Sequence, residues 1–369
     1  MEGAIDVGVI ERELTSLWKQ AGEDDGGVIR ACLLNLLIYV PGTDVSREVD
    51  GIVADITAAH PSRAILMVAD REASESYLDA QVTSRCTLPT AESKQVCCEQ
   101  VTLRAGGEQV NEVPSAVVPL LLSDLSVYLW WRAEPRLGDR VFKRLVDASD
   151  RVIIDSASFA SPHADLLSLA TIMRESPRWA AFSDLNWGRL GAWRGLLAGF
   201  YDVPQYRQSL DQLNAVVIEY GPPAADHVAI APRALLLGGW LASRLGWKVI
   251  PGGTIRERAA TVFQFEINGR KVTITFAPAQ SEAIEAGRLG RVTLTSDFAD
   301  SATFEVKRSD DASRIETEVR LGEERKLQRV LSYENLSEAA LVGIELEILG
   351  HDRVYEEAIL AAGEMVKTF

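Results

Sequence analysis

The chain has 369 residues, 47% hydrophobic and 25% charged, which are the proportions of a globular protein that folds on its own core without disulfides or metal. Lys and Arg total 38 against 53 Asp and Glu, and the formal net charge of −15 argues against broad nucleic-acid binding. Fibrous, collagen-like and wholly disordered chains are excluded by the same composition, and at ~150 residues per domain the length predicts two domains or a little more.

The opening MEGAIDVGVIERELTSLWKQ carries early acidic residues and no basic start before an apolar core, so it does not read as a secretory signal. Ile10, Leu14, Leu17 and Trp18 fall at helical spacing and predict a helix over 6–21, docked on the first domain and ended by the acidic GEDDGG break. RACLLNLLIYVPG is either a helix running into a strand or a buried strand throughout. Residues 45–59 predict a helix through Val49, Ile52, Val53 and Ile56, and AILMVAD after His60-Pro61 predicts a buried strand. YLDAQVTSRCTL and KQVCCEQVTLRAGG read as two strands, a helix begins near Asn111, and SVYLWWR is a short buried strand. FKRLVDASDRVIIDSASF repeats the helix-to-strand step. This alternation predicts an α/β N-terminal domain with a largely parallel sheet and helices on both faces.

From Pro162 to Gly246 the pattern is mainly helical, in ADLLSLATIMRES, DLNWGRLGAWRGLLAGFYD and APRALLLGGWLASRLGW, with LNAVVIEYG suited to a further strand. From Thr261 to Tyr333 apolar and polar residues alternate, as in Phe263, Phe265 and Ile267, the pattern of an antiparallel meander with one wet face. Asn268-Gly269 suits a two-residue type I′ hairpin, and Asp310-Asp311 and Gly322-Glu323 mark later turns. NLSEAALVGIELEILG and VYEEAILAAGEMVKTF read as helices covering the apolar side of that sheet. The expected organisation is an N-terminal α/β domain over 1–160, a mainly helical region over 161–250 that belongs to either neighbour, and an α+β C-terminal domain over 251–369 with an antiparallel meander packed by helices.

Chemical motifs are mostly missing. The chain has no G-x-G-x-x-G, no G-x-x-x-x-G-K-[ST], no G-x-S-x-G and no H-E-x-x-H. His60, His163, His227 and His351 are scattered, and Asp297/Asp300 and Asp310/Asp311 sit at turn-like positions, so no catalytic, cofactor-binding or metal-binding residue is assigned. The apolar run VPSAVVPLLLSDLSVYLWW is interrupted by Pro119, Asp124 and the serines Ser123 and Ser126 around it, which argues against a membrane helix. Cys32, Cys86, Cys97 and Cys98 are too few for a disulfide framework and predict free thiols in a reducing cytoplasm, with Cys97 and Cys98 on opposite faces of a strand.

The unusual content is aromatic. Trp130, Trp131, Trp179, Trp187, Trp193, Trp240 and Trp247 lie in the middle third beside Arg132, Arg178, Arg189, Arg194 and Arg244, and Trp and Arg are enriched at interface hot spots. Trp187, Arg189, Trp193 and Arg194 are therefore candidates for a partner-facing surface or for the scaffold beneath it, followed by Trp130 and Trp131, which end a buried strand. The competing reading makes Leu190, Trp193, Leu197 and Phe200 one buried helical stripe and pairs the arginines with local carboxylates.

VPSAVVPLLLSDLSVYLWWR, DRVIIDSASF, DLNWGRLGAWRGLLAGFYD and LLLGGWLASRLGW, in that order and preceded by HPSRAILMVAD, closely resemble the OpcA family, the glucose-6-phosphate dehydrogenase assembly proteins. The resemblance covers 60–247, and D-L-N-W-x-R-L-x-x-W-R is its most specific string. It implies a non-catalytic, cytoplasmic accessory protein without a cofactor of its own, which binds glucose-6-phosphate dehydrogenase, promotes its active oligomer and raises its activity in the oxidative pentose phosphate pathway. Thiol control is a property of photosynthetic members, and Ser62 stands where some relatives have cysteine, so that control is not carried over. The alternative, resting on fold-level analogy alone, is an α/β enzyme or a nucleotide- or sugar-phosphate-binding protein without a recognisable motif.

Overall fold

The unbroken apolar runs of the first third become strands buried on both faces, and the alternating runs of the last third become strands with one face covered. In the computed structural model, all residues are described except 1–6, 25–27, 43–45, 88–94, 137, 176–179, 224–228, 258–259, 282, 299–300, 310–312, 334 and 349. The predicted Asp310-Asp311 turn, Asp300, His227, Arg178 and Trp179 lie outside the described residues. The chain forms two units, each assembled from separate stretches: Met1–Asp155, Ser176–Leu185 and Ser337–His351 in the first; Ser156–Glu175, Asn186–Leu336 and Asp352–Phe369 in the second.

In chain order the first stretch carries α1 (Val7–Asp24), β1 (Val28–Arg30), β2 (Leu34–Pro41), α2 (Ser46–Ala59), β3 (Ser62–Asp70), β4 (Tyr77–Thr87) and β5 (Gln95–Gly106). It continues through α3 (Val113–Val117), β6 (Val127–Trp131), α4 (Arg140–Asp147) and β7 (Arg151–Ile154). RACLLNLLIYVPG thus holds no helix: Arg30 ends β1, and β2 runs over Leu34–Pro41 after a short loop. After α5 (Pro162–Glu175) comes a strand with no counterpart in the sequence reading, β8 (Ala181–Asp184). The stretch DLNWGRLGAWRGLLAGFYD breaks into α6 (Leu185–Gly188) and α7 (Gly191–Gly199).

The sheet of the first unit has the order β1-β5-β3-β2-β6-β7-β8, with β4 paired to β5. Every pair is parallel except β4 with β5. Strand order reverses between β2 and β6, which is the doubly wound arrangement. Its core is built from Leu36, Ile38 and Val40 of β2, Val49, Val53 and Ile56 of α2, and Trp130 of β6.

The second unit continues with α8 (Arg207–Leu210), β9 (Leu213–Tyr220), α9 (Pro232–Leu245), β10 (Lys248–Arg256), β11 (Thr261–Ile267) and β12 (Arg270–Pro278). Then follow β13 (Leu289–Ser296), β14 (Ala302–Arg308), β15 (Arg314–Leu321) and β16 (Glu324–Ser332). The order is β10-β11-β12-β9-β13-β14-β15-β16, so the predicted meander exists but β9 is inserted at its middle, parallel to β12 and antiparallel to β13. Asn268 and Gly269 have φ of 49° and 76° between the paired Ile267 and Arg270, the double positive φ that a type I′ turn demands.

The last two helices divide between the units. α10 (Glu338–Glu347) packs on α2 and places Leu341, Val342 and Leu346 in the core of the first unit, whereas α11 (Arg353–Lys367) packs between α5 and α9 in the second. The expectation that both cover the antiparallel sheet is therefore corrected. Amphipathic spacing says that a face is buried but not against which sheet.

Small residues set the approach of α9 and α11. A Cβ on Gly239 would come within 2.2 Å of the Ala358 carbonyl oxygen and 2.9 Å of the Ala362 nitrogen. Gly239→Val is expected to lower the stability of the second unit by about 1–3 kcal/mol or more, read by denaturant unfolding, because both obstacles are backbone and cannot rotate away.

Cysteine chemistry is a second correction. Cys86 and Cys97 are cross-strand partners in β4 and β5 and form a disulfide, because the hairpin register brings together residues that no local spacing connects. Cys98, on the opposite face as expected, is buried and free, and burial pushes its thiol up. Cys32 is also free.

Candidate functional site

The segment carrying the most specific sequence string is tied down by its own polar atoms. Within the second unit, Trp187 is buried and its indole Nε1 donates to Asp352 Oδ2 at 2.9 Å. Asp352 is also the N-cap of α11, its Oδ1 accepting from the backbone N–H groups of Val354 and Tyr355 at 3.0 Å each. The Arg194 guanidinium lies over the Trp187 ring, 3.4 Å from its centroid, a cation–π contact. Asn186 donates to Ser156 Oγ at 3.1 Å and accepts from Arg233 Nε at 2.7 Å.

Two of the predicted residues are therefore structural. Trp187 and Trp193 are 3% and 1% exposed, so their rings lie beneath the surface. Arg189 and Arg194 are half-buried beside them. The outward face of α7 is left to Gly191, Ala192, Gly195, Ala198 and Gly199, all exposed. Above Gly191, Gly195 and Gly199 a Cβ would meet nothing within 4 Å.

A cavity opens at each end of this helix. At its N-terminal end a space of about 170 Å³ is lined by Arg189, Ala192, Arg233, Arg288, Tyr333 and Asn335. At its C-terminal end a space of about 330 Å³ is almost wholly apolar, with Leu197, Tyr201, Leu213, Trp240, Leu241 and Leu294 among its walls. The Tyr201 hydroxyl is buried, which pushes its pKa up. Arg233, Arg288, Tyr201 and Tyr333 were not legible as site residues, because they reach these cavities from distant segments; Trp240 was visible in the LLLGGW string.

Trp130 and Trp131 belong to the first unit and do not join this group. Both are buried, 0% and 1% exposed. Trp131 stacks on Tyr39 with centroids 3.9 Å apart, and Phe142 tilts against it at 4.9 Å. These rings stand at the carboxyl ends of β2 and β6, the strand-order reversal where doubly wound sheets bind their ligands. Arg71 joins them: burial pushes the Tyr39 phenol up, and the Arg71 guanidinium beside it opposes the shift while pairing with Asp139 at 3.0 Å. Among the described residues no cluster of three or more His, Cys, Asp or Glu could hold a metal, and no helix is long and apolar enough to cross a membrane.

The two halves of the chain match two successive domains of one class of protein, the glucose-6-phosphate dehydrogenase subunit: residues 53–171 match its N-terminal domain and 180–359 its C-terminal domain. The chain belongs to the OpcA family of glucose-6-phosphate dehydrogenase assembly subunits. A relative named OxPP cycle protein OpcA from Synechococcus elongatus is 28% identical over 312 residues, 82% of this chain and 67% of the relative. Its namesake from Synechocystis is 33% identical over 201 residues, 54% of this chain and 40% of the relative. Among solved structures, an NAD binding oxidoreductase from Klebsiella pneumoniae is similar over 92% of this chain and 96% of its own, at 11% identity and a TM-score of 0.49. An aldose-aldose oxidoreductase from Caulobacter crescentus covers 90% of this chain and 96% of its own, at 9% identity and a TM-score of 0.45.

Proposed function

We propose that this chain is a non-catalytic assembly factor and allosteric activator of glucose-6-phosphate dehydrogenase, acting in the cytoplasm in the oxidative pentose phosphate pathway. The match of both halves to the domains of the dehydrogenase subunit carries the reading. The dehydrogenase supplies the NADP chemistry, and the accessory chain contributes binding energy alone. Such a protein activates only if it binds the active assembly more tightly than the inactive one, and ~1–3 kcal/mol of that preference gives roughly 5- to 150-fold effects.

The surface we assign to the enzyme is the outward face of α7 with Arg189 and Arg194 at its margin, carried by the buried Trp187 and Trp193. Glycines at 191, 195 and 199 leave a shallow helix face that another backbone can approach closely. The apolar cavity with Trp240 and Tyr201 adjoins it and suits an apolar anchor from the partner. The competing nucleotide-enzyme reading needs an open crevice at the β2–β6 reversal, and the Tyr39–Trp131 stack speaks against it.

Mixing the purified chain with its cognate dehydrogenase is expected to yield a larger species on size-exclusion chromatography and faster NADPH formation. Separate elution with an unchanged rate would reject the reading.

A further inference from the structure

We propose that the outward face of the second unit's sheet is the surface on which a second copy of this chain packs, face to face, as a two-fold dimer. The strands of this sheet alternate. Val216, Phe263, Ile274, Phe276 and Leu294 point inward and are buried, and α9 lies over them, where a Cβ on Gly238 would meet the Phe276 ring at 2.7 Å. Phe200 and Tyr206, which follow α7, pack on the buried Phe304 from the same side. The residues between these face the other way. One outward row, made of Val262, Thr275, Val217, Thr293 and Glu305, crosses β11, β12, β9, β13 and β14 in unbroken register, and all of it is half-buried.

This face differs from an ordinary solvated one at its centre. On β12, β9 and β13 its outward residues include Thr273, Thr275, Ala215, Val217, Thr293 and Thr295, all short and uncharged in a chain that is 25% charged. β-Branched side chains are stiff at χ1, so covering them costs less conformational entropy than covering lysines or glutamates, and their even height leaves a flat surface. Charge begins at the rim. Arg291 lies 3.6 Å from both Glu219 and Glu305, and Lys307 pairs with Glu316 at 3.2 Å. An uncharged centre inside a polar rim is the anatomy of a protein interface.

Charge and shape select the occupant. Two chains of net charge −15 repel each other, so they meet most easily where the local charge is close to balance, and this rim sets Arg291 and Lys307 against Glu219, Glu305 and Glu316. Twist favours the same partner: stacked sheets keep their strands within about 30° of each other when their twists match, and a sheet matches its own copy. An axis near Val217 and Thr293, which are cross-strand partners, brings flat centre onto flat centre. Three outward residues at ~6.8 Å spacing on each of six strands ~4.8 Å apart give roughly 600 Å² per copy, or ~1,200 Å² in the pair, which reaches the size of a stable interface. α7 packs against β14 from the inner side, so this dimer leaves the outward face of α7 open, and the assembly reading does not depend on it.

The test uses the full chain alone, with no dehydrogenase present, so that its failure leaves the assembly reading untouched. In sedimentation velocity at tens of micromolar the parent is expected to run at twice the chain mass. Thr293→Arg and Val217→Arg set like charges against each other across the axis; both are expected to keep the circular dichroism of the parent and to raise the dimer dissociation constant about a hundredfold or more. Thr293→Val, of the same shape, keeps the dimer, as does Arg174→Gln, which breaks an ion pair with Glu364 away from this face. Val217→Cys, treated with diamide as oxidant, is expected to cross-link chain to chain beyond anything the parent shows, and this cross-link decides should either Arg variant not fold. A parent of single-chain mass, a folded Arg variant as dimeric as the parent, or no added cross-link in Val217→Cys overturns the proposal. If the parent is single and Val217→Arg loses the dehydrogenase, the face belongs to the enzyme and the dimer proposal falls.

Discussion

Gly195→Trp is expected to leave the chain folded and to abolish its co-elution with glucose-6-phosphate dehydrogenase. Gly195 lies in the interior of α7, where glycine costs roughly 1 kcal/mol relative to alanine. Among the described residues nothing asks for it: its φ is not positive, and the space over it is open. The contrast with Gly239 is direct, since there a Cβ would strike backbone at 2.2 Å. Gly195→Ala should therefore raise the stability of the second unit by about 0.5–1 kcal/mol. A glycine that lowers stability without an internal reason makes sense where a second backbone comes close, and Gly191 and Gly199 repeat it one turn to either side. The indole of Gly195→Trp would fill the gap such a partner needs. Thermal melting and size-exclusion chromatography of the same preparation separate the two effects. Wild-type affinity in Gly195→Trp would remove α7 from the interface.

What could be read in advance divides along physical lines. Local chemistry was legible: the Asn268-Gly269 turn, the buried run of β3, and the alternation of β11 and β12 all follow from neighbours in sequence. Pairing at a distance was not. LNAVVIEYG carries a strand pattern, but nothing in it tells that β9 lies between β12 and β13. Cys86 and Cys97 are joined by hairpin register, and the helices at the C-terminus share one amphipathic pattern yet serve different cores. For the tryptophans, composition and geometry point different ways. Composition pointed to them as contact residues, whereas Trp187 is consumed by Asp352 and Arg194 inside the unit, and the face it supports is made of residues with almost no side chain. Interface statistics reward large side chains, so the glycine face we propose as the contact is invisible to them.

Arg63→Met should strongly destabilise the first unit. Arg63 in β3 and Glu99 in β5 face each other in the parallel register, 2% and 1% exposed, and Arg63 Nε donates to Glu99 Oε2 at 2.6 Å. Around them the remaining capacity is used: Arg63 Nη1 donates to Glu11 Oε1 at 2.9 Å and to the Leu120 carbonyl at 2.7 Å, and Trp18 Nε1 donates to Glu99 Oε1 at 2.6 Å. The pair thus fastens α1 to the sheet, as the apolar stripe of that helix led one to expect. Methionine fills the volume of the arginine stem but takes from the buried Glu99 carboxylate the guanidinium that faces it, and breaking a buried pair in this way costs about 3–5 kcal/mol. For units of this size each kcal/mol lowers the melting temperature by ~2–4 °C, so a fall on the order of 6–20 °C is expected by calorimetry. Adding Glu99→Leu removes the stranded charge, and the double variant should recover most of the loss, because a well-packed apolar pair often equals a buried ion pair. Recovery in the double variant identifies the uncompensated charge as the cause, whereas equal damage in both would assign the loss to packing or to the release of α1.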